Sequence, residues 1–131
     1  RAMVGERLPM LLTAAGRAYF CYCADAEREA LLVLLRRDSV QAALANDERF
    51  IANLLEQTRS RGYGSNEGDW SAERKIGAIA VPVFQRAKVI ASINVIYLVR
   101  AVSHAEAAER YLPALVEAAR QLELALNEPV A

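Results

Sequence analysis

The sequence has 131 residues, 16 Lys+Arg against 16 Asp+Glu and a formal net charge of zero, with 54% hydrophobic and 24% charged residues. Such a chain makes one domain with a core of its own, and it excludes wholesale disorder and a domain that grips nucleic acid by bulk charge. Its two cysteines exclude a disulfide framework, and its apolar stretches fall short of the roughly 20 residues of a membrane span, so a cytoplasmic setting without a membrane partner is expected.

Arg1-Ala2-Met3-Val4-Gly5 lacks an initiator Met and has neither signal-peptide nor tag character, so the chain reads as a piece of a longer protein. Gly5 and Pro9 break regular structure in the entry segment, residues 1–12. Thr13 is an N-cap candidate for a helix from Ala14 to Cys23. Asp25 is expected to cap a second helix ending near Arg37, with Leu31, Leu32, Leu34 and Leu35 as its buried stripe. Residues 38–45 carry no clear pattern. Asp47 to Arg61 is helical by the spacing of Phe50, Ile51, Leu54 and Leu55, and Gly62 is suited to stop it in a left-handed conformation.

The period then changes. Tyr63 to Trp70 is Gly-rich and polar, the composition of a loop. Ile76–Phe84 and Lys88–Tyr97 are β-branched and apolar, and Gln85–Lys88 is short enough for an antiparallel hairpin. Pro82, without an N–H, should meet a sheet edge or a bulge. Both strands are nearly continuously apolar, so much of each face should be covered. Ser103 and Glu106 form a capping box ahead of a helix to about Leu126. Its apolar face is Leu115, Ala118, Ala119, Leu122 and Leu126, and Pro113 predicts a kink or a break. The fold class is therefore α+β, an antiparallel sheet with the hairpin 76–97 packed by helices. Two or three strands are thin for that many helices, which points to further strands preceding this chain or supplied by a partner.

Few residues carry chemistry. His104 is the one histidine, in a helix first turn where the dipole disfavours imidazolium, so a packing or surface role is the plainer reading. Cys21 and Cys23 stand roughly 200° apart on a helix and read as buried packing thiols. Acids such as Asp25, Glu27, Glu29, Glu106 and Glu109 are mixed with bases on solvated faces. Arg59, Arg61, Arg74, Lys75, Arg86 and Lys88 are scattered too. No catalytic pair and no metal or cofactor site is expected. Three features point to ligand binding instead. The small residues Ala14, Ala15 and Gly16 leave first-turn amides accessible to a carboxylate, against the plainer reading of an ordinary packed helix start. Trp70 is either a hydrophobic plug or part of a ligand lid. Asn94 lies alone in an apolar strand and either bonds backbone or points into a pocket; it shares one face with Ser92 and Ile96.

Taken in order, LPMLLTAAGRAYF (8–20), RSRGYG (59–64), IGAIAVPVF (76–84), VIASINVIY (89–97) and the amphipathic last helix resemble the effector-binding domain of IclR-type bacterial transcription regulators. Within that family, RAMVGERLP, GYGSNEGDW, KIGAIAVPV and HAEAAERYLPAL look closest to activators of 3-hydroxyphenylpropionate catabolism. The resemblance implies a GAF-like domain over residues 1–131 that lacks the family's first effector-domain strands. It also implies a small-molecule effector, homodimers or homotetramers, and contact with DNA only through a separate N-terminal winged helix-turn-helix. Carried over by motif, the pocket falls on Leu8, Ala14, Ala15, Ala78, Asn94 and Ile96. Asn66, Glu67 and Asp69 compete for the family's loop acid. Ala78, Asn94 and Ile96 stand where some members have a Cys and two Ser, a less polar lining that suits an aromatic acid. The expected arrangement sets a carboxylate on the amides of Ala14–Gly16, a ring against Leu8, Tyr19, Trp70 and Ile96, and Asn94 on a polar group. An enzyme using the same cleft and an oligomerisation module without ligand are the competing expectations.

Overall fold

The computed structural model describes residues 8–67 and 75–127. Eight elements follow in chain order: α1 (Ala14–Tyr22), α2 (Asp25–Leu35), α3 (Ala42–Ala45), α4 (Glu48–Arg61), β1 (Gly64–Asn66), β2 (Ile76–Gln85), β3 (Lys88–Leu98) and α5 (His104–Leu126).

Local chemistry accounts for most boundaries. Thr13 is extended and its hydroxyl accepts the Gly16 N–H at 3.1 Å, which starts α1. Asp47 does the same for α4 through the Phe50 N–H, and Gly62 ends that helix at φ 87°, a conformation glycine adopts without a Cβ penalty. Ser103 caps α5 by accepting the Glu106 N–H. Asp25 is not the cap of α2: Ala24 holds that position, and Asp25 is the first helical residue, paired with Arg28 at 2.8 Å. Arg28 itself is buried, although the acids around it, Asp25, Glu27 and Glu29, read as a solvated charged face. Its guanidinium donates to the carbonyls of Phe20, Cys21 and Cys23 at 2.9, 3.3 and 2.6 Å, which satisfies the C-terminal end of α1 with a cation. Arg59, on the surface as expected, adds a bond to the Cys21 carbonyl at 3.0 Å. Cys21 and Cys23 are buried and free, and burial pushes both thiols up, which keeps them neutral.

Among the described residues the sheet is three-stranded and antiparallel, in the order β1-β2-β3. The stretch read as a loop contributes its edge strand: Gly64, Ser65 and Asn66 pair with Ala80, Ile79 and Ala78. The hairpin turns through Arg86 and Ala87, at φ 51° and 68°, between the paired Gln85 and Lys88. Positive φ at both central residues matches the turn that follows strand twist. Pro82 stands beyond the residues paired with β1, and a bulge between Val83 and Phe84 follows it, as a residue without an N–H requires.

Three layers result. Odd-numbered β2 residues Ile79, Val81 and Val83 join Tyr63, Tyr97, Ala107, Leu115 and Ala119 in a core between the sheet and α5. Even-numbered Ala78 and Ala80 pack against Ala14 and Ala18 of α1 on the other face. Behind α1, Leu11, Phe20, Cys21, Leu32, Leu35, Ala45 and Leu54 make a helical core. Three expectations need correction. The covered faces hold for β2, but most of β3 is exposed or half-buried, because β3 is the other edge of the described sheet. Pro113 lies inside a single helix of 23 residues, on an exposed position. The inward face of α5 is centred on Ala107, Leu115 and Ala119, while Ala118, Leu122 and Leu126 are exposed.

Candidate functional site

The antiparallel register builds the site. Asn66, Ala78 and Ile96 stand side by side across the three strands, and Gly64, Ala80 and Asn94 form the next row. Pro82 and Ser92 follow. Side chains alternate along a strand, so all these residues share the face on which α1 lies. A Cβ on Gly64 would stand 2.5 Å from the Ala14 carbonyl oxygen and 2.8 Å from the Ala18 nitrogen, which measures how closely α1 is seated. The Ser92 hydroxyl donates to the Ala15 carbonyl at 2.8 Å and ties the first turn of α1 to β3.

Three of the sequence-predicted positions, Ala14, Ala15 and Ala78, pack together, and Asn94 and Ile96 share the sheet face on which α1 lies. Asn66 extends the same row and is 3% exposed. Asn94 is exposed, not the buried amide its apolar neighbours suggest, because β3 is an edge strand. Ile96 is 52% exposed beside it, giving the site one polar and one apolar accessible side chain. Leu8, at the beginning of the described chain, is 47% exposed. Trp70 and Asp69 lie outside the described residues; Glu67 is described and exposed.

Electrostatically, the start of α1 is a positive end with no acid in its first turn. The first N–H groups of a helix have no intrahelical acceptor. Thr13 takes the one at Gly16, so that member of the predicted trio is already occupied, and Ala14 is buried at 1% exposure, less open than the small residues of this helix start suggest. Arg17 brings a buried guanidinium one turn along. Its Nε donates to the Leu11 carbonyl at 2.8 Å and its NH1 to the Ser65 carbonyl at 2.9 Å. Arg61 is likewise occupied, with the Ser65 hydroxyl and the Tyr63 ring. The Tyr19 hydroxyl donates to Glu27 of α2 at 2.5 Å. That hydrogen bond, then burial and the carboxylate charge, push its phenol up to about 12.

Arg17 and Ser92 were not singled out as site residues. The period-2 pattern set Ser92 beside Asn94, but its bond spans 77 positions and has no local signature. His104 lies on the opposite face, with Nδ1 3.0 Å from the Tyr97 hydroxyl and Nε2 3.3 Å from the Tyr63 hydroxyl, a packing role as expected. Among the described residues no group of three or more His, Cys, Asp or Glu is placed to hold a metal, and no helix is long and apolar enough to cross a membrane.

Residues 1–124 match the family described as bacterial transcriptional regulator IclR, C-terminal. The chain is 30% identical over 127 residues to the HTH-type transcriptional regulator XynR of Escherichia coli K12, covering 96% of this chain and 49% of that protein. It spans half or less of the length of the curated relatives it matches. The fold is similar to the crystal structure of the C-terminal domain of the E. coli transcriptional regulator KdgR, with a TM-score of 0.77 at 25% identity, covering 96% of this chain and 76% of that one. It is also similar to the inducer-binding domain of a double mutant of the Acinetobacter transcription factor PobR, solved with 3-hydroxybenzoic acid. There the TM-score is 0.70 at 21% identity, covering 94% of this chain and 72% of that one.

Proposed function

The chain belongs to the IclR family, as the C-terminal effector-binding domain of a bacterial transcriptional regulator, and from that premise we propose that it senses a small aromatic carboxylate of the phenylpropionate kind. The observation that carries the reading is the start of α1. Its first turn carries no acid, and it lies on the sheet face that offers one exposed amide, Asn94, and one exposed apolar side chain, Ile96. A carboxylate on the amides makes charge-assisted hydrogen bonds worth about 1.5–3 kcal/mol. The ring lies against Ile96, with Leu8 as a further wall, and Asn94 meets a ring hydroxyl or an acid oxygen. The solved PobR domain with 3-hydroxybenzoic acid supports an aromatic acid as ligand class for this fold.

Binding then shifts an equilibrium between assembled states, felt by a DNA-binding domain elsewhere in the full-length regulator. The shift is bounded by the ligand's preference between those states. Homodimers or homotetramers go with this reading, and the exposed apolar residues Ile90 and Leu98 of β3 and Val116, Leu122 and Leu124 of α5 support it. Sedimentation of the full-length protein reads the assembly directly.

Thermal unfolding against a panel tests the sensor reading: 3-phenylpropionate and its hydroxylated forms, hydroxybenzoates, glyoxylate and pyruvate. A ligand at 100 times its dissociation constant adds about 2.7 kcal/mol, which raises the midpoint by several degrees. The expected result is a shift confined to the aromatic acids and lost in Ala14→Asp, whose carboxylate repels the ligand's. A shift with glyoxylate alone, or one that survives Ala14→Asp in a folded protein, overturns the ligand class or its placement.

A further inference from the structure

We infer that Ser92 is a positioning residue of this site: its hydroxyl holds the Ala14–Ala15 amides in register with Asn94. The inference rests on the carboxylate reading above and adds a residue that touches no ligand. The two polar arms of the site stand on different elements, the amides on α1 and Asn94 on β3. What lies between them is small and apolar, Ala14 and Ala18 on Ala78 and Ala80. Such contacts set the height of a helix over a sheet but have little directional preference, so they let the helix slide or rotate. A hydrogen bond is directional and weakens steeply with misalignment. Among the described residues, the bond from the Ser92 hydroxyl to the Ala15 carbonyl, 2.8 Å, is the side-chain hydrogen bond recorded between α1 and β3. It falls on the first turn itself, and its strand position is two residues from Asn94 on the same face. The pinned peptide is next to the peptide that carries the Ala15 N–H. Losing the bond frees the helix start without removing any ligand contact, and the carboxylate then satisfies one arm at the expense of the other.

Threonine and valine at this position have nearly the same shape and differ in the hydroxyl, so the pair separates the bond from the packing. Two measurements on the full-length protein apply: hydrogen exchange of the amides at 14–16 without ligand, and calorimetric affinity for 3-phenylpropionate and its neutral amide, 3-phenylpropanamide. Ser92→Val is expected to speed exchange at 14–16 and to weaken the acid about tenfold, the scale of one neutral hydrogen bond, with little change for the neutral amide. Ser92→Thr is expected to restore both. Wild-type exchange and acid affinity in Ser92→Val overturn the inference, as does an equal loss for acid and amide that threonine does not rescue. If the wild type itself fails to bind the acid, the carboxylate reading falls, and the exchange comparison alone decides whether Ser92 holds the helix start.

Discussion

Tyr19 is tied to the neighbouring helix by one hydrogen bond. Its ring sits one turn from Ala15, where spacing alone makes it a candidate wall for an aromatic ligand, yet its hydroxyl is bound to Glu27 of α2. The bond has a consequence for alkaline stability. The folded phenol is pushed up to about 12 against an ordinary 10.0, so in the interval between them the unfolded chain loses its proton first. The contribution is therefore complete below pH 10 and is lost as pH rises towards 12. Tyr19→Phe is expected to show a shallower fall of the urea midpoint across that interval than the wild type. Equal slopes would mean the hydroxyl exchanges freely with water. Asn94 teaches the converse lesson. An amide in an apolar strand reads as buried, but an edge position leaves it exposed and available.

At the scale of elements, the seating of α1 on the sheet governs the site. Small residues meet on both sides of the contact, and Gly64 is the tightest point, since a Cβ there would stand 2.5 Å from a backbone oxygen. Backbone cannot rotate aside as a side chain can, so α1 itself must move. Gly64→Ala is expected to cost about 1–3 kcal/mol, the usual range for overpacking, read by equilibrium denaturation, and to weaken acid binding as the helix start is displaced. Retained stability with retained binding would show that the sheet gives way instead of the helix. The hairpin illustrates a different control: Arg86 and Ala87 accept positive φ because the ladder on either side holds the register, from Ile76 opposite Leu98 to Gln85 opposite Lys88.

Across the whole molecule, apolar clusters join the layers, and arginine side chains add hydrogen bonds to backbone carbonyls between elements. Arg28 and Arg59 close the end of α1 against α2 and α4. Arg17 links α1 to the entry segment and to the edge strand β1 through two carbonyls. Arg17→Met keeps the aliphatic length and removes the donors. Each carbonyl left unpaired costs about 1–3 kcal/mol, so a stability loss of about 2–6 kcal/mol is expected from denaturant unfolding, with β1 exchanging its amides faster. A change below about 0.5 kcal/mol, the size of an ordinary surface substitution, would mean that water replaces the guanidinium at both carbonyls.

Features legible in the chain are those with a local cause. Thr13, Asp47, Ser103 and Gly62 mark helix ends because a cap acts within three or four residues, and alternation alone sets Ser92, Asn94 and Ile96 on one face. The ordered motifs likewise carried the family, which the match over residues 1–124 bears out. Other features depend on contacts between distant segments. The pairing of Gly64–Asn66 with β2, the burial of Arg17 and Arg28, the exposure of Asn94 and the bond from Ser92 to Ala15 each join segments that no local pattern relates. A free carbonyl attracts whichever donor the packing brings near, and a strand is central or edge according to its neighbours rather than its own residues. Composition and period therefore specify the elements and their faces, while the partners of each polar group follow from how those faces meet.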